Sequence, residues 1–237
     1  MLTRLIPERL KRWVKWRAGV FTAVDRLINL RDAGFRPTHI IDAGAFRGEW
    51  SLAVTDVFPA AKILMIEPQP DKAGVLEQIC QNHSGIQMHA ALLGNSADEV
   101  SFLMEESNSR IALDTDLEDS APNLIRLPVA RLDKIAKEER FEDCQFLKLD
   151  LQGHELEALA GAGSLFGQVE VIQIEVSILK IGPVPLAEEV IRTFTEHSYQ
   201  LYDIFEPRAR PLDQALWQID FLFVQKSSAL ISSRNWA

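Results

Sequence analysis

The chain has 237 residues, 47% of them hydrophobic and 25% charged. That suits a single globular domain with an extension and excludes a low-complexity or collagen-like chain. A formal net charge of −9 and a pI near 5.1 argue against a surface that is basic overall, the usual footprint of nucleic-acid binding. No apolar run approaches the ~18 residues of a spanning helix, and Arg4, Glu8, Arg9, Lys11 and Arg12 interrupt any signal-peptide core. Cys80 and Cys144 fall in segments that read as a helix and a buried strand, as reduced core residues do; this points to the cytoplasm.

Charge is unevenly spread. Residues 1–36 hold nine Lys/Arg against three acids, +6, so −9 less +6 leaves −15 on the remainder. Leu10, Trp13, Val14, Val20, Phe21, Val24, Leu27 and Ile28 recur there at roughly helical spacing. A basic amphipathic extension is expected over 1–36, either packed on the domain or a second copy, or resting on an anionic membrane surface or near a lipid-linked substrate.

From residue 38, β-rich runs alternate with helical patterns, the signature of parallel βαβ units. Strands are predicted at 39–42, 62–67, 86–92, 146–150 and 169–176, with an extra one at 99–104. Helices are predicted over 48–58, 71–81, from about 153 to the glycines 161 and 163, and from 186 to 197. Residues 105–127 show weak periodicity and many polar groups, and are expected to form an irregular lid or substrate loop. Segments 199–205 and 217–225 are joined by a stretch too short for a crossover helix, so they should be antiparallel. The expectation is an α/β, Rossmann-like, mostly parallel seven-stranded sheet over 37–226, with a reversed strand at its edge and a tail from 227 to 237.

In such sheets ligands bind beyond the carboxyl ends of the strands at the switch point. The turn after the first strand reads Asp42-Ala43-Gly44-Ala45-Phe46-Arg47-Gly48. Gly44 permits a tight bend and close approach to a ligand, and Gly48 permits close helix packing. Asp42 stands where a dinucleotide fold places its first glycine. A carboxylate there would repel a pyrophosphate but suits a cationic ammonium and sulfonium, as in S-adenosyl-L-methionine (SAM). Glu67 closes the second strand, where an acid can accept bonds from ribose hydroxyls. The structural alternatives are a helix cap for Asp42 and a solvated strand end for Glu67. Ala45, Pro68, Ala91 and Asp150 join Asp42, Gly44, Gly48 and Glu67 as the expected cofactor set.

The segments Ile40–Ser51 (IIDAGAFRGEWS), Met65–Pro70 (MIEPQP), Arg131–Asp133 (RLD), Phe146–Ala162 (FLKLDLQGHELEALAGA), Val171–Ser177 (VIQIEVS) and Gln218–Lys226 (QIDFLFVQK) together resemble the FkbM-type methyltransferases, over roughly 40–226. That resemblance implies a class I methyltransferase fold and methyl transfer from SAM, typically to hydroxyls of sugars, polyketides or similar small molecules. It places Asp42, Gly44, Gly48 and Glu67 at the cofactor and Asp150 facing the transfer site. Phe46 departs from the family, which usually has Asn there.

Transfer to an alcohol needs a general base. His154 is the first choice, because a helix N-terminus disfavours its protonated form; its structural alternative is a bond to a neighbouring backbone group. Asp150 could orient base or acceptor, or cap the following helix, and Glu175 ends the adjacent strand. Asp150 and Glu175 could together hold Mg²⁺, though no residue is assigned as a metal ligand. Ser109, Arg208 and Arg210 are expected to contact the acceptor. A nucleic-acid methyltransferase and a catalytically silent scaffold are the alternatives; Asp150-Leu151-Gln152-Gly153 stands where nitrogen-directed enzymes resemble [DN]-P-P-[FY]. The glycine fingerprint of a nicotinamide dehydrogenase is absent.

Overall fold

The computed structural model describes residues 22–96, 98–118 and 123–233. Most of the basic N-terminal stretch and the last four residues therefore lie outside the described residues. The first described helix, α1 (Ala23–Asp32), starts with a reciprocal cap: the Thr22 hydroxyl accepts from the Asp25 amide, and the Asp25 carboxylate accepts from the Thr22 amide. Glu206 and Asp203 then tie it to the sheet, through the Ala23 amide at 2.9 Å and Arg26 at 3.2 Å.

Seven strands form the main sheet: β1 (His39–Ala43), β2 (Lys62–Ile66), β3 (Ile86–His89), β8 (Phe146–Leu149), β9 (Val171–Ser177), β10 (Tyr199–Ala209) and β11 (Leu216–Gln225). Their spatial order is β10-β11-β9-β8-β1-β2-β3. β1, β2, β3, β8 and β9 are parallel to their neighbours in this set, and β11 runs antiparallel to both β9 and β10. β1 and β8 are buried along nearly their whole length, as strands covered on both faces must be. One face packs Ile41, Leu64, Leu147 and Ile172 against α5 (Leu132–Glu139), α6 (Glu155–Ala160) and α7 (Ala187–Glu196). The other packs Ile40, Ile63, Phe146 and Val171 against α1, α2 (Glu49–Val57) and α3 (Ala73–Asn82).

Three expectations are corrected. The reversed strand is not at the edge: β11 inserts between β9 and β10. β11 is apolar on both faces and buried along most of its length, whereas β10 alternates between buried and exposed and takes the edge. The run at 86–92 is two strands, β3 and β4 (Leu92–Leu93), in different sheets. The described residues of 105–127 (105–118 and 123–127) are not a structureless loop. There β6 (Arg110–Ile111) and β7 (Leu124–Ala130), with the short helix α4 (Asp114–Glu118) between them in the chain, join β5 (Glu99–Leu103) and β4 in a second sheet, order β4-β7-β5-β6. Leu92, Phe102 and Val129 form its own small core. No helix among the described residues is long and apolar enough to cross a membrane.

Candidate active site

β1 pairs with β2 on one side and β8 on the other, and the chain leaves it in both directions. The ends of these strands open into a cleft of about 510 Å³. The turn after β1 sits tightly against the end of β8. Gly44 has φ +79°, and a Cβ there would stand 1.8 Å from the Asp150 carbonyl oxygen, so no larger residue fits. Gly48 (φ +78°) has the other role expected of it: a Cβ would meet Ile79 Cδ1 at 2.6 Å, so it brings α2 close to α3 without touching the cleft.

Glu67 lies at the junction of this cleft and a second cavity of about 390 Å³. Its Oε2 accepts from the Phe46 amide at 2.7 Å and its Oε1 from the Gln69 amide at 3.0 Å. It is thus a buried, positioned carboxylate rather than a solvated strand end; burial pushes it above its ordinary value against those two bonds. Each oxygen keeps a further lone pair for a ligand hydroxyl. Pro68 lines both cavities, and Ala91 lines the second with Ala73, Leu76, Met88 and Leu127. Ala45 is buried outside both linings, its amide bonded to Ile66 O.

Asp42 is not where a ligand could meet it. It is 0% exposed; Ser51 Oγ donates to one carboxylate oxygen at 2.7 Å and Lys148 Nζ to the other at 3.1 Å. Neither the ligand-facing expectation nor the helix cap describes it. Lys148 also donates to Gly44 O at 3.2 Å and stands 3.6 Å from Asp150. Burial raises Asp42 against the pull of Lys148, while Asp42 and Asp150 hold the ammonium up despite its own burial. This pair pins the β1 turn to β8 from behind. Lys148 was legible as a lone cation inside the apolar run Phe146–Leu149, which demands a buried partner.

Asp150 and His154 both line the cleft. Asp150 does not cap α6: it accepts from Gln152 Nε2 at 2.9 Å, and His154 occupies the cap position. The turn is instead clamped by Glu155, fully buried, whose Oε1 accepts from the Leu151 and Gly153 amides at 2.9 and 3.1 Å. Gly153 (φ +109°) lies so close to Pro183 that a Cβ would stand 2.5 Å from it. No hydrogen bond engages the His154 imidazole among the described residues, so its structural alternative does not hold. Burial lowers its basicity from the ordinary value, which disfavours the charged ring.

Glu175 lies behind the cleft wall. It pairs with Arg208, and its Oε2 accepts from Gln218 at 3.1 Å. Burial, reinforced by the Asp150 charge, pushes Glu175 up to about 8. Asp220 pairs with Glu175 across the β9–β11 ladder and accepts from Gln173 at 2.7 Å; burial pushes it up to about 6. Asp220 and Gln218 were missed because only the hairpin register sets them beside Glu175. With Glu175 committed to Arg208 and Gln218, Asp150 lacks a free partner carboxylate, and no group of three potential metal ligands converges among the described residues. The Mg²⁺ option finds no support.

Ser109 is buried at the cleft wall, donating to Gln69 Oε1 at 2.9 Å. Nearby, Glu106 reaches Arg47 and Lys72, each at 3.1 Å, so the segment before β6 closes over the β1 turn. Phe46, at φ +51°, lines the cleft with the Arg47 and Lys72 cations over its ring at 5.1 and 5.0 Å. Arg208 and Arg210 part company. Arg208 belongs to β10 rather than to a loop and lines the cleft; Arg210 is bound to Asp213 in the hairpin turn and lines no part of it. Solvent-facing loop geometry, not proximity in sequence, decided that difference.

The strand order, the reversed β11 and the cleft at the β1–β8 switch point define the class I methyltransferase fold. The Methyltransferase FkbM domain model matches residues 42–201, and the chain belongs to that family. Among solved structures, the FkbM methyltransferase of Methylobacillus flagellatus is similar over 81% of this chain at 18% identity, TM-score 0.50; the match spans 46% of that protein, so this chain corresponds to about half its length. EvdMO1 is similar over 85% of this chain and 40% of its own at 12% identity, TM-score 0.50. Aeropyrum pernix fibrillarin, solved with natively bound S-adenosyl-L-methionine, matches 78% of this chain and 66% of its own at 12% identity, TM-score 0.45. No curated protein matches the chain.

Proposed function

We propose that this chain transfers a methyl group from SAM to a hydroxyl oxygen of a small molecule or glycan. One observation carries the reading: a single cleft brings together the Glu67 carboxylate, the constrained Gly44 turn and an unengaged His154 imidazole.

The donor set fits the cofactor. Glu67 has lone pairs for two ribose hydroxyls, the Ala73–Met88–Ala91 cavity is an apolar slot for a flat base, and Gly44 lets backbone approach the ligand. Asp150, at the cleft surface, is the carboxylate able to face a cationic group; Asp42 supports it from behind through Lys148. When bound, the cofactor supplies an electrophilic methyl group. The protein's part is position and proton removal. His154 takes the proton of the acceptor hydroxyl, Asp150 orients the acceptor, and Glu155 holds the backbone that carries both. Glu175 acts through Arg208, which lines the cleft and can meet a polar group of the acceptor.

Calorimetric titration with SAM, and separately with NAD, tests the reading. Saturable SAM binding that disappears in Glu67→Ala is expected. Folded protein that binds no SAM, or binds NAD instead, refutes it.

A further inference from the structure

Ten large hydrophobic side chains are exposed among the described residues, and they are not scattered evenly. Ile178 (41% exposed), Ile181 (39%), Leu212 (83%) and Leu216 (36%) all belong to two segments beside one end of the cleft: the loop after β9 and the β10–β11 hairpin tip. These segments are fastened together. The Ile178 amide donates to Trp217 O at 2.7 Å, and Trp217 Nε1 donates to Ile181 O at 3.4 Å. Of the four, Ile181 also lines the cleft, whose wall at this end includes Gly182, Pro183, Val184 and Trp217. Pro183 in turn packs on Gly153, one residue before His154. Ile181, Pro183 and Trp217 therefore give this end of the cleft an apolar wall that reaches the turn bearing the imidazole. An apolar wall at one end of a cleft that carries polar groups suits the apolar part of a ligand.

Building on the hydroxyl-methylation reading, we propose that the acceptor is amphipathic: its hydroxyl enters between Asp150, His154 and Arg208, and an apolar chain leaves over Ile181, Trp217 and Leu216. A free sugar would gain nothing from this rim. A hydroxyl carried on an alkyl or isoprenoid-like chain would bury it, at a gain proportional to the area covered.

The test is binding of a homologous series of straight-chain primary alcohols, 1-butanol to 1-octanol, to the full chain, followed by tryptophan emission. Burial of four methylenes on both sides would tighten binding by over about a hundredfold, and a rim open on one side should still give about tenfold. The wild type should show that tightening. Ile181→Asp with Leu216→Asp should abolish it with the melting temperature unchanged, and Ile191→Asp on the outer face of α7 should retain it. Affinities that do not rise with chain length overturn the proposal. So does cosedimentation with neutral phosphatidylcholine vesicles that the double variant loses while alcohols fail to compete, because the rim would then be a membrane face. SAM titration in parallel separates the two readings. Retained SAM binding with a flat alcohol series sinks this inference alone; a steep series without SAM binding sinks the methyltransfer reading alone.

Discussion

Removing the Lys148 ammonium is the most searching perturbation of the site's foundation. Lys148→Met keeps the length of the side chain but leaves the Asp42 carboxylate buried with only Ser51 as a partner. Breaking a buried pair by deleting one member costs about 3–5 kcal/mol, because the surviving charge is uncompensated. In a domain of this size each kcal/mol moves the midpoint by about 2–4 °C, so a fall of about 6–20 °C is expected by calorimetry. The sign of the pH dependence follows from Asp42. Burial already raises it, and without Lys148 it rises further. A carboxyl raised in the folded state is tolerated below its unfolded value and costs stability as pH climbs through the folded value. The variant should therefore lie nearer the wild type at pH 4.5 than at pH 8. Adding Asp42→Asn should recover at least half of the loss at pH 8, since no charge is then buried. A midpoint within about 2 °C of the wild type at pH 8, or no recovery in the double variant, would refute the account of Lys148 as the post that holds the β1 turn.

Glu155 is pushed up by burial from 4.5 to about 7, so folding is favoured below its unfolded value and loses about 3 kcal/mol as pH rises to about 7; Glu155→Gln should flatten that slope in urea titrations at pH 5 and 8. His154→Ala should slow single-turnover methyl transfer by about 10²–10⁴ while leaving the SAM affinity within about twofold, and the acidic limb of the wild-type rate profile should fall below the ordinary histidine value of 6.5. An unchanged rate would move the base elsewhere. Arg208→Ala leaves Glu175 buried with Gln218 alone and should cost about 1–3 kcal/mol, discounted because the guanidinium is 49% exposed. Arg210→Ala, which frees only the surface carboxylate of Asp213, should leave the melting curve in place.

Much of this protein could be read from local pattern. The parallel strands announce themselves because a strand covered on both faces must be apolar throughout, as Phe146–Leu149 is apart from Lys148. Gly44 and Glu67 were legible because backbone bending and a strand-end carboxylate are properties of single positions in a known frame. The segment from 105 to 127 was not, because β6 and β7 are short and half-exposed, and find their hydrogen bonds only on β5. Asp42 shows the same limit within the site: its place in the motif was clear, but the partner that turns it away from the cleft lies 106 residues along the chain.

The sequence by itself determined the alternating α/β architecture and the switch-point turn, because periodicity and motif spacing are one-dimensional, and its resemblance to FkbM methyltransferases is borne out by the domain match over 42–201. Only the tertiary structure decided that β11 is interior, that Arg208 and not Arg210 lines the cleft, that Glu175, Asp220 and Arg208 form one electrostatic group, and that Ile181 and Trp217 share one end of the cleft wall. Each of these is a relation between distant segments. Burial and charge pairing act through space, and they take effect only once strand order and register have brought those segments together.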